Sequence, residues 1–563
     1  MMRKLQIIVL VIFGIYMIAM GQNVPKVDEK LQLQIAQREK SEKLRVNIVL
    51  NEQYNQTEMQ NKVRHFRNKE EKRSFAVNEL KYFSKETQKN LIGSLSDTRV
   101  KTAVSDIQSF WIVNMITCYA SIETIEYLSK HPDVLIIGLD NEQYMLPEED
   151  KPIQEVVGSI TKEQIAGSTK EVTYNITKVR ANEVWAQGYT GQNIVVAIID
   201  TGVNYNHNDL SGNMWTHPNY PHYGWNFVSN NNNPMDDHGH GTHCAGTVAG
   251  QGASGSQTGM APNAKIMAVK VWNSAGSGTT SQMCAGIQFA ADNGAHVISM
   301  SGGIYSGGTI AEKIQFRNTM INVLNMGIIA PIAAGNEGSL VSPPNSIRVP
   351  GNCPPPWLHP DQISQGGLSA VVSVGSTDQN DNIASSSSRG AVTWQGIAGF
   401  NDYIYNPGMG LIRPDVVAPG VNIKSLSHTN NRGYVNKSGT SMATPCVAGV
   451  IALMLSKQPD LTPAEICEIL ETTALPLSVT KSNIYGSGRI DAYAAVQQAA
   501  CPPVLNFINQ TVSTNRTITN NCGDINVQNV TVTNGAKLTF EAAGEVNIIS
   551  DFDVRLGSSF EIK

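Results

Sequence analysis

The sequence predicts an α/β protein whose central region is a mostly parallel sheet with helices on both faces. A small α+β domain precedes this region, and a small all-β module follows it. Three observations predict this arrangement: apolar strands alternate with helical stretches mid-chain, charged residues concentrate before them, and short alternating stretches close the chain. Apolar strands that alternate with helices indicate a parallel sheet buried on both faces.

Composition and charge narrow the classes of function. Hydrophobic residues make up 41% of the 563-residue chain, and the net charge is −5 at pH 7. Such a mild balance gives no reason to expect nucleic acid or an anionic membrane surface as a partner.

The N-terminus has the pattern of a secretory signal peptide, which we assign to residues 1–21. Arg3 and Lys4 precede an apolar run of roughly 16 residues, and Ala19 and Gly21 are small residues suited to a cleavage site after Gly21. An uncleaved anchor is the alternative, but the run is shorter than the usual span of about 20 residues. We therefore expect a secreted protein, extracellular or at the cell surface and with periplasmic transit as one route, that has no membrane span once the signal is removed.

Residues 22–170 form the second predicted region, because roughly half of all lysines and arginines fall there. The polar segment 147–152 suggests a linker near its end. We predict strands over 46–50, 109–114 and 134–139, and helices within 55–95 and over 122–130, with Ser121 as the N-cap of the last helix.

Residues 171–500 form the third region, with predicted strands at 193–199, 264–271, 296–300, 328–333 and 371–374. Ligands of such sheets bind beyond the carboxyl ends of the strands. Residues 501–563 carry alternating stretches typical of a small all-β module, with a short stacked coil of strands as one form. Cys501 and Cys522 are the pair we expect to oxidise after export, because they flank one short polar segment.

The strongest local pattern is Gly439-Thr-Ser-Met-Ala-Thr-Pro445, which an apolar helical run follows. Ser441 would stand at the helix start, where backbone N–H groups and the helix dipole favour developing negative charge. An ordinary N-cap serine is the alternative, but the full seven-residue string favours a nucleophile.

A second pattern, Gly239-His-Gly-Thr-His243, offers a base. A nucleophilic serine needs an imidazole whose other ring nitrogen is held by a carboxylate, and His240 fits this role. Zinc helices place two histidines at i and i+4 with a glutamate between them. The spacing here is i and i+3 without an acid, so we expect no metal ligands and a structural role for His243.

Two polar residues follow apolar strands. Asp200 ends one strand and would fix the imidazole tautomer, although an aspartate that caps a turn fits this motif equally well. Asn336, in Ala333-Ala-Gly-Asn-Glu-Gly338, would donate its amide to an oxyanion; an asparagine in a plain turn is the alternative.

These four motifs occur in the order Asp, His, Asn, Ser and resemble the subtilisin-like serine proteases (subtilase family S8). The resemblance extends over about 179–496 and looks closest to the bacillopeptidase F-like branch. It implies the fold of that family and a secreted serine endopeptidase, made as a self-processing zymogen, that cleaves proteins and peptides through an acyl-enzyme. It also implies that residues 22–170 are a propeptide, which acts as folding chaperone and intramolecular inhibitor, and that the chemistry requires no cofactor.

The resemblance implies substrate-binding residues as well. One set matches the strand that pairs with the substrate backbone by strand addition: Ser301, Gly302 and Gly303. A second set resembles one wall of the first specificity pocket: Ala333, Ala334 and Gly335. Glu337 would then lie at the rim of that pocket.

The chain departs from the family pattern at several positions. Gly302 stands where a larger apolar residue is usual, and Cys446 replaces a histidine. Cys244, beside the expected base, resembles thiol-containing members and implies sensitivity to mercurials. Asp209 and the loop 251–258 match a calcium site of some members, but a loop without an ion fits equally well, so structural calcium stays open.

Two functions of other classes also stay open. The chain could be a triad-bearing surface or binding protein with little activity, or a dedicated processing protease of narrow specificity.

Overall fold

The computed structural model describes most of the chain. The described residues are 26–63, 66, 69–97, 101–146, 171–358, 362, 367–394, 410–499, 504–520 and 523–563. The signal peptide, the segment 147–170 and the expected Cys501–Cys522 pair lie outside them and stay predictions, as do the domain boundaries. The residues form two compact units, one made of residues up to Ser456 with Thr462–Ala495, the other of Lys457–Leu461 with Val496–Lys563.

The N-terminal part of the first unit is an antiparallel sheet in the order β2-β3-β1-β4 with accompanying helices. Its strands are β1 Lys43–Leu50, β2 Val104–Phe110, β3 Met115–Ser121 and β4 Val134–Leu139, and its helices are α1 Glu29–Ile35, α2 Gln56–Val63, α3 Lys69–Thr87, α4 Lys89–Leu95 and α5 Ile122–Leu128. The Ser121 hydroxyl accepts the amide N–H of Thr124 and caps α5, as predicted. The strand predicted over 109–114 is wrong beyond Phe110, because residues 111–114 turn the chain into β3 and Asn114 has a φ of 39°.

The rest of the first unit contains a parallel sheet with helices, which confirms the predicted fold class. Its strands are β5 Gln143–Tyr144, β6 Glu171–Val172, β7 Val195–Asp200, β8 Gly224–Asn226, β9 Ser256–Gln257, β10 Lys265–Lys270, β11 Ser277–Gly278, β12 Val297–Ser299, β13 Ala330–Ala333, β14 Trp357–Leu358, β15 Gly367–Leu368, β16 Val371–Thr377, β17 Val416–Pro419, β18 Ile423–Leu426 and β19 Tyr434–Lys437. The helices are α6 Tyr174–Lys178, α7 Ala181–Trp185, α8 His240–Ala249, α9 Thr280–Asp292, α10 Ile310–Asn325, α11 Thr440–Lys457, α12 Pro463–Thr473 and α13 Ala492–Gln498.

The strands β12-β7-β10-β8 and β13-β16-β17 form two parallel groups, which bridges from Val297 to Ile329 and from Met300 to Ile332 join. Their residues are almost all buried, as expected of a sheet covered on both faces. Helix α11 is long and apolar enough to cross a membrane, but 89% of its apolar window is buried inside the protein, which is the pattern of a core helix. Because the strands of each group are parallel, their carboxyl ends lie at the same edge of the sheet.

The C-terminal unit contains a stack of parallel strands in two sheets, ordered β20-β22-β24 and β21-β23-β25. These strands are β20 Val504–Val512, β21 Arg516–Asn520, β22 Asp524–Val532, β23 Lys537–Ala542, β24 Val546–Val554 and β25 Ser559–Ile562. Inward-pointing residues such as Val527, Leu538 and Phe540 form its core. The all-β module predicted from the alternating stretches is confirmed, in its stacked form.

Candidate active site

Asp200 and His240 are brought together by the end of β7 and the start of α8. The His240 Nδ1 lies 2.8 Å from Asp200 Oδ1 and 3.0 Å from Oδ2, and both side chains are fully buried. Gly241 permits this approach, because a Cβ there would lie 2.1 Å from the carbonyl oxygen of Gly202. The amide of Thr201 also donates to Asp200 Oδ1, at 2.7 Å, and so helps to hold the carboxylate in place.

The pKa of His240 is raised well above its usual value. Burial opposes the charged imidazole and by itself would lower the pKa, but the attraction of the Asp200 carboxylate, aided by Cys244, outweighs it. Because Nδ1 faces the carboxylate, this nitrogen carries the proton in the neutral ring, and Nε2 is the nitrogen that can take up a second one.

Ser441 occupies the first turn of α11, as the sequence predicts. Its hydroxyl donates to the carbonyl oxygen of Ser301 at 2.9 Å. In return, the Ser301 hydroxyl donates to the carbonyl oxygen of Ser441, also at 2.9 Å. This exchange ties the start of α11 to the segment that follows β12.

Cys244 lies one helical turn after His240 and contacts the same group of residues. Its Sγ is 3.9 Å from His240 Nδ1 and 3.4 Å from the carbonyl oxygen of Ser441. Burial raises the pKa of the Cys244 thiol, although His240 opposes the shift. Ligand atoms of Asp200, His240 and Cys244 all lie within 4.8 Å of one another, so a soft metal ion that entered this cluster would meet the imidazole and the thiol together.

Asn336 follows β13 and reaches the start of α11. Its Oδ1 accepts hydrogen bonds from the amide and the hydroxyl of Thr440, both at 2.9 Å. Because two donors fix the oxygen, the amide nitrogen points to the other side, next to Gly439. A Cβ on Gly439, whose φ is 142°, would lie 2.6 Å from Asn336 Nδ2, so glycine is required there.

A peptide segment from the N-terminal region lies across this edge of the sheet. Strand β5 pairs antiparallel with β11, and the Met145 amide donates to the carbonyl of Gly276 at 3.0 Å. On the other side, the Gly303 amide donates to the carbonyl of Met145 at 2.9 Å. Met145 and Leu146 are buried. Residues 143–146 are therefore held on both sides by main-chain hydrogen bonds, as an added strand is.

The structure also explains the glycine at position 302. A Cβ on Gly302 would lie 2.6 Å from the ring of Trp272 and 2.8 Å from the carbonyl oxygen of Met145. The buried Trp272 thus fills the space that a larger side chain at 302 would occupy. The sequence did not indicate this tryptophan, because Trp272 follows β10 and Gly302 follows β12, and only the fold brings the two residues together.

The expected pocket wall, Ala333 to Gly335, is buried beside Arg348, whose amide donates to the carbonyl of Ala334 at 2.9 Å. Glu337 is buried and forms an ion pair with Arg348, with Oε1 at 2.6 Å from Nη2. The Glu337 carboxylate turns inward to this guanidinium, next to Gly335 of the expected wall, and its place at the rim of the pocket stays a prediction. No motif in the sequence pointed to Arg348.

Two residues that the sequence offered as metal ligands, His243 and Asp209, form hydrogen bonds within the protein. The His243 Nε2 lies 3.0 Å from the carbonyl of Ile423, which suits the structural role predicted for it. Both oxygens of the buried Asp209 accept hydrogen bonds, Oδ1 from the Ser254 amide at 2.8 Å and Oδ2 from the Tyr434 hydroxyl at 2.9 Å. Each carboxylate oxygen keeps a second lone pair after these bonds, so structural calcium at Asp209 stays open, as it does in the sequence.

Comparison with known proteins identifies relatives of the central region. A family model described as the Subtilase family matches residues 191–491. The chain is 37% identical to Subtilisin DY of Bacillus licheniformis over 58% of this chain and 99% of that protein. It is 32% identical to Subtilisin E of Bacillus subtilis (strain 168) over 73% of this chain and 89% of that protein. Serine protease AprX of the same organism is 34% identical over 55% of this chain and 67% of that protein. The bacillopeptidase F-like branch stays a prediction.

Proposed function

Because this chain belongs to the subtilase family and is a serine-type endopeptidase, we propose that Asp200, His240 and Ser441 carry out its chemistry. The observation that supports this most is the contact between the buried His240 imidazole and the Asp200 carboxylate, 2.8 Å long, beside the start of the helix that carries Ser441. Asn336 is proposed as an oxyanion donor.

In the first half of the reaction, His240 Nε2 takes the hydroxyl proton of Ser441 while the oxygen attacks a peptide carbonyl carbon. The Asn336 amide and the Ser441 main-chain N–H then hold the oxyanion. As the carbon–nitrogen bond breaks, His240 returns the proton to the leaving amine, which yields an acyl-enzyme. Water, deprotonated by His240, attacks this ester; as the bond to Ser441 breaks, His240 returns the proton to the Ser441 oxygen and the acid product leaves.

The Ser441 hydroxyl bonds to the Ser301 carbonyl while residues 143–146 lie between β11 and Gly303, in what we propose is the substrate-binding cleft. Attack requires the hydroxyl to turn from the Ser301 carbonyl towards His240. Asp200 stabilises the imidazolium that forms meanwhile, because it accepts from Nδ1.

We propose further that residues 22–170 are an inhibitory propeptide. Residues 143–146 occupy the place of a substrate strand, and two acidic residues cap helices of the central region. Asp140 accepts the amide and hydroxyl of Ser281 at the start of α9, and Asp28 accepts the amide of Ala311 at the start of α10. Negative charge at helix N-termini is favourable, so these contacts would guide the folding of α9 and α10, whereas residues 143–146 would block the substrate-binding cleft.

A serine-directed probe and N-terminal sequencing test this proposal on the exported protein. A fluorophosphonate should modify Ser441 alone, and mass spectrometry of the modified peptide identifies the residue. The mature enzyme should begin between Tyr144 and Thr173, after self-cleavage and removal of the signal peptide. A start before Gln143 or after Val184, or a probe bound elsewhere, contradicts the proposal.

A further inference from the structure

Arg348 contacts the segment 143–146 where that segment crosses the cleft. Its guanidinium Nη1 donates to the carbonyl oxygen of Met145 at 2.8 Å and to that of Gly303 at 2.9 Å. Its Nε and Nη2 donate to Glu337 Oε1 at 2.9 and 2.6 Å. Both charged side chains are only 3% exposed. The guanidinium thus joins a buried carboxylate to the main chain of a peptide bound in the cleft.

Glu337 holds this guanidinium in a fixed direction. The Ser388 hydroxyl donates to Glu337 Oε2 at 3.1 Å and accepts the Glu337 amide at 3.0 Å. The planar guanidinium presents its donors in a rigid fork, so fixing Nε and Nη2 on Glu337 also aims Nη1. The direction of Nη1 is therefore set by the protein and not by Met145.

We propose that Arg348 is a substrate-binding residue, which donates a charge-assisted hydrogen bond to a main-chain carbonyl of the bound peptide. The inference rests on the proposed function, in which residues 143–146 occupy the place of a substrate. Once that segment leaves, Nη1 of Arg348 and the amide of Gly303 both lose the Met145 carbonyl. A substrate strand added beside Gly303 offers its own carbonyl to both donors, and hydrogen bonds to charged donors are the stronger ones.

This contact recognises the peptide backbone, so its contribution is independent of the substrate's side chains. It depends instead on length, because a peptide must extend far enough from the scissile bond to place a carbonyl at the position of Met145. A series of peptides that share one cleavable bond and grow by one residue at a time on the N-terminal side reports this dependence directly.

The test compares the mature wild type with the double variant Arg348→Met/Glu337→Gln, which removes the donor without leaving a buried carboxylate unpaired. In the wild type, kcat/KM should rise steeply at one peptide length. In the variant this step should shrink by roughly tenfold or more, mostly through KM, as the loss of a charged hydrogen bond predicts.

A matched control is Arg413→Met/Asp415→Asn, which removes another buried arginine–carboxylate pair whose guanidinium donates to the carbonyl of Cys353. This control should lose stability but keep the length step, so a smaller step caused only by weakened folding would show in both double variants. An unchanged step in Arg348→Met/Glu337→Gln, or an equal loss in the control, overturns the inference. Failure of the wild type to cleave any peptide contradicts the proposed function itself.

Discussion

Ser301 and Ser441 exchange hydrogen bonds, each hydroxyl donating to the carbonyl of the other residue at 2.9 Å. One belongs to the segment after β12 and the other to the first turn of α11, 140 positions later. The segment that would pair with a substrate and the helix that carries the proposed nucleophile are thus fixed to each other.

Replacing Ser301 with alanine should therefore affect both stability and catalysis. The loss of one buried hydrogen bond is expected to lower the free energy of unfolding by about 1 kcal/mol, and acylation should slow because the start of α11 loses a restraint. Stopped-flow measurement of acylation checks the second effect. Ser425→Ala, which removes the buried hydroxyl that donates to the carbonyl of His243 at 2.8 Å, should lose similar stability without slower acylation. Equal acylation rates in both variants would contradict the account.

The raised pKa of His240 predicts where activity falls on the acid side of the pH profile. The imidazole must be neutral to act as base, and a raised pKa keeps it protonated to higher pH. Plotted against pH, kcat/KM should therefore rise with a midpoint above the ordinary histidine value of about 6.5. His238 serves as a control, because burial lowers its pKa. The variant His238→Asn should show the same midpoint on the acid side as the wild type. A midpoint below the ordinary value would be inconsistent with the Asp200–His240 contact.

The position of Cys244 predicts inhibition by mercurials of the mature enzyme. A mercury adduct on Sγ, 3.9 Å from His240 Nδ1, would displace the imidazole from Asp200. Cys244→Val should retain activity and resist a mercury reagent. Cys446→Val should stay sensitive, because this buried thiol on α11 donates instead to the main-chain carbonyls of Pro419 and Met442. Inactivation rates measure both effects. Equal resistance of the two variants would assign the sensitivity to another site.

The hydrogen bonds at Asp209 predict that this loop is stable without calcium. A chelator should leave the midpoint of thermal unfolding unchanged, since the bonds from Tyr434 and Ser254 to Asp209 already hold this loop in place without an ion. Tyr434→Phe should lower the free energy of unfolding by about 1–3 kcal/mol, because a buried carboxylate oxygen loses its donor. A calcium-dependent rise of the wild-type midpoint that Asp209→Asn abolishes would refute this.

The four residues that we propose for the chemistry stand in contiguous motifs of the sequence. Asp200, His240, Asn336 and Ser441 each follow a strand or open a helix within a short string, so the local backbone requirement is visible in the letters. The parallel sheet was predictable for a similar reason, because strands buried on both faces leave continuous apolar runs.

The features that the sequence did not predict depend on distant partners. The role that we propose for Arg348 depends on its contact with Met145, 203 positions away. The need for glycine at position 302 depends on the nearby ring of Trp272. The strand predicted over 109–114 overran its end, because an apolar run does not show where a residue such as Asn114 takes a positive φ. The ion pair between Glu337 and Arg348 is also invisible in the sequence, because no motif includes Arg348.

The replacement Ser441→Ala tests the central claim most directly, when casein hydrolysis by the purified variant is compared with that of the wild type. The account predicts that the wild type cleaves casein, whereas the variant folds with the same contacts around His240 but shows no cleavage and no conversion of the precursor. Casein hydrolysis by the variant at the wild-type rate would contradict it.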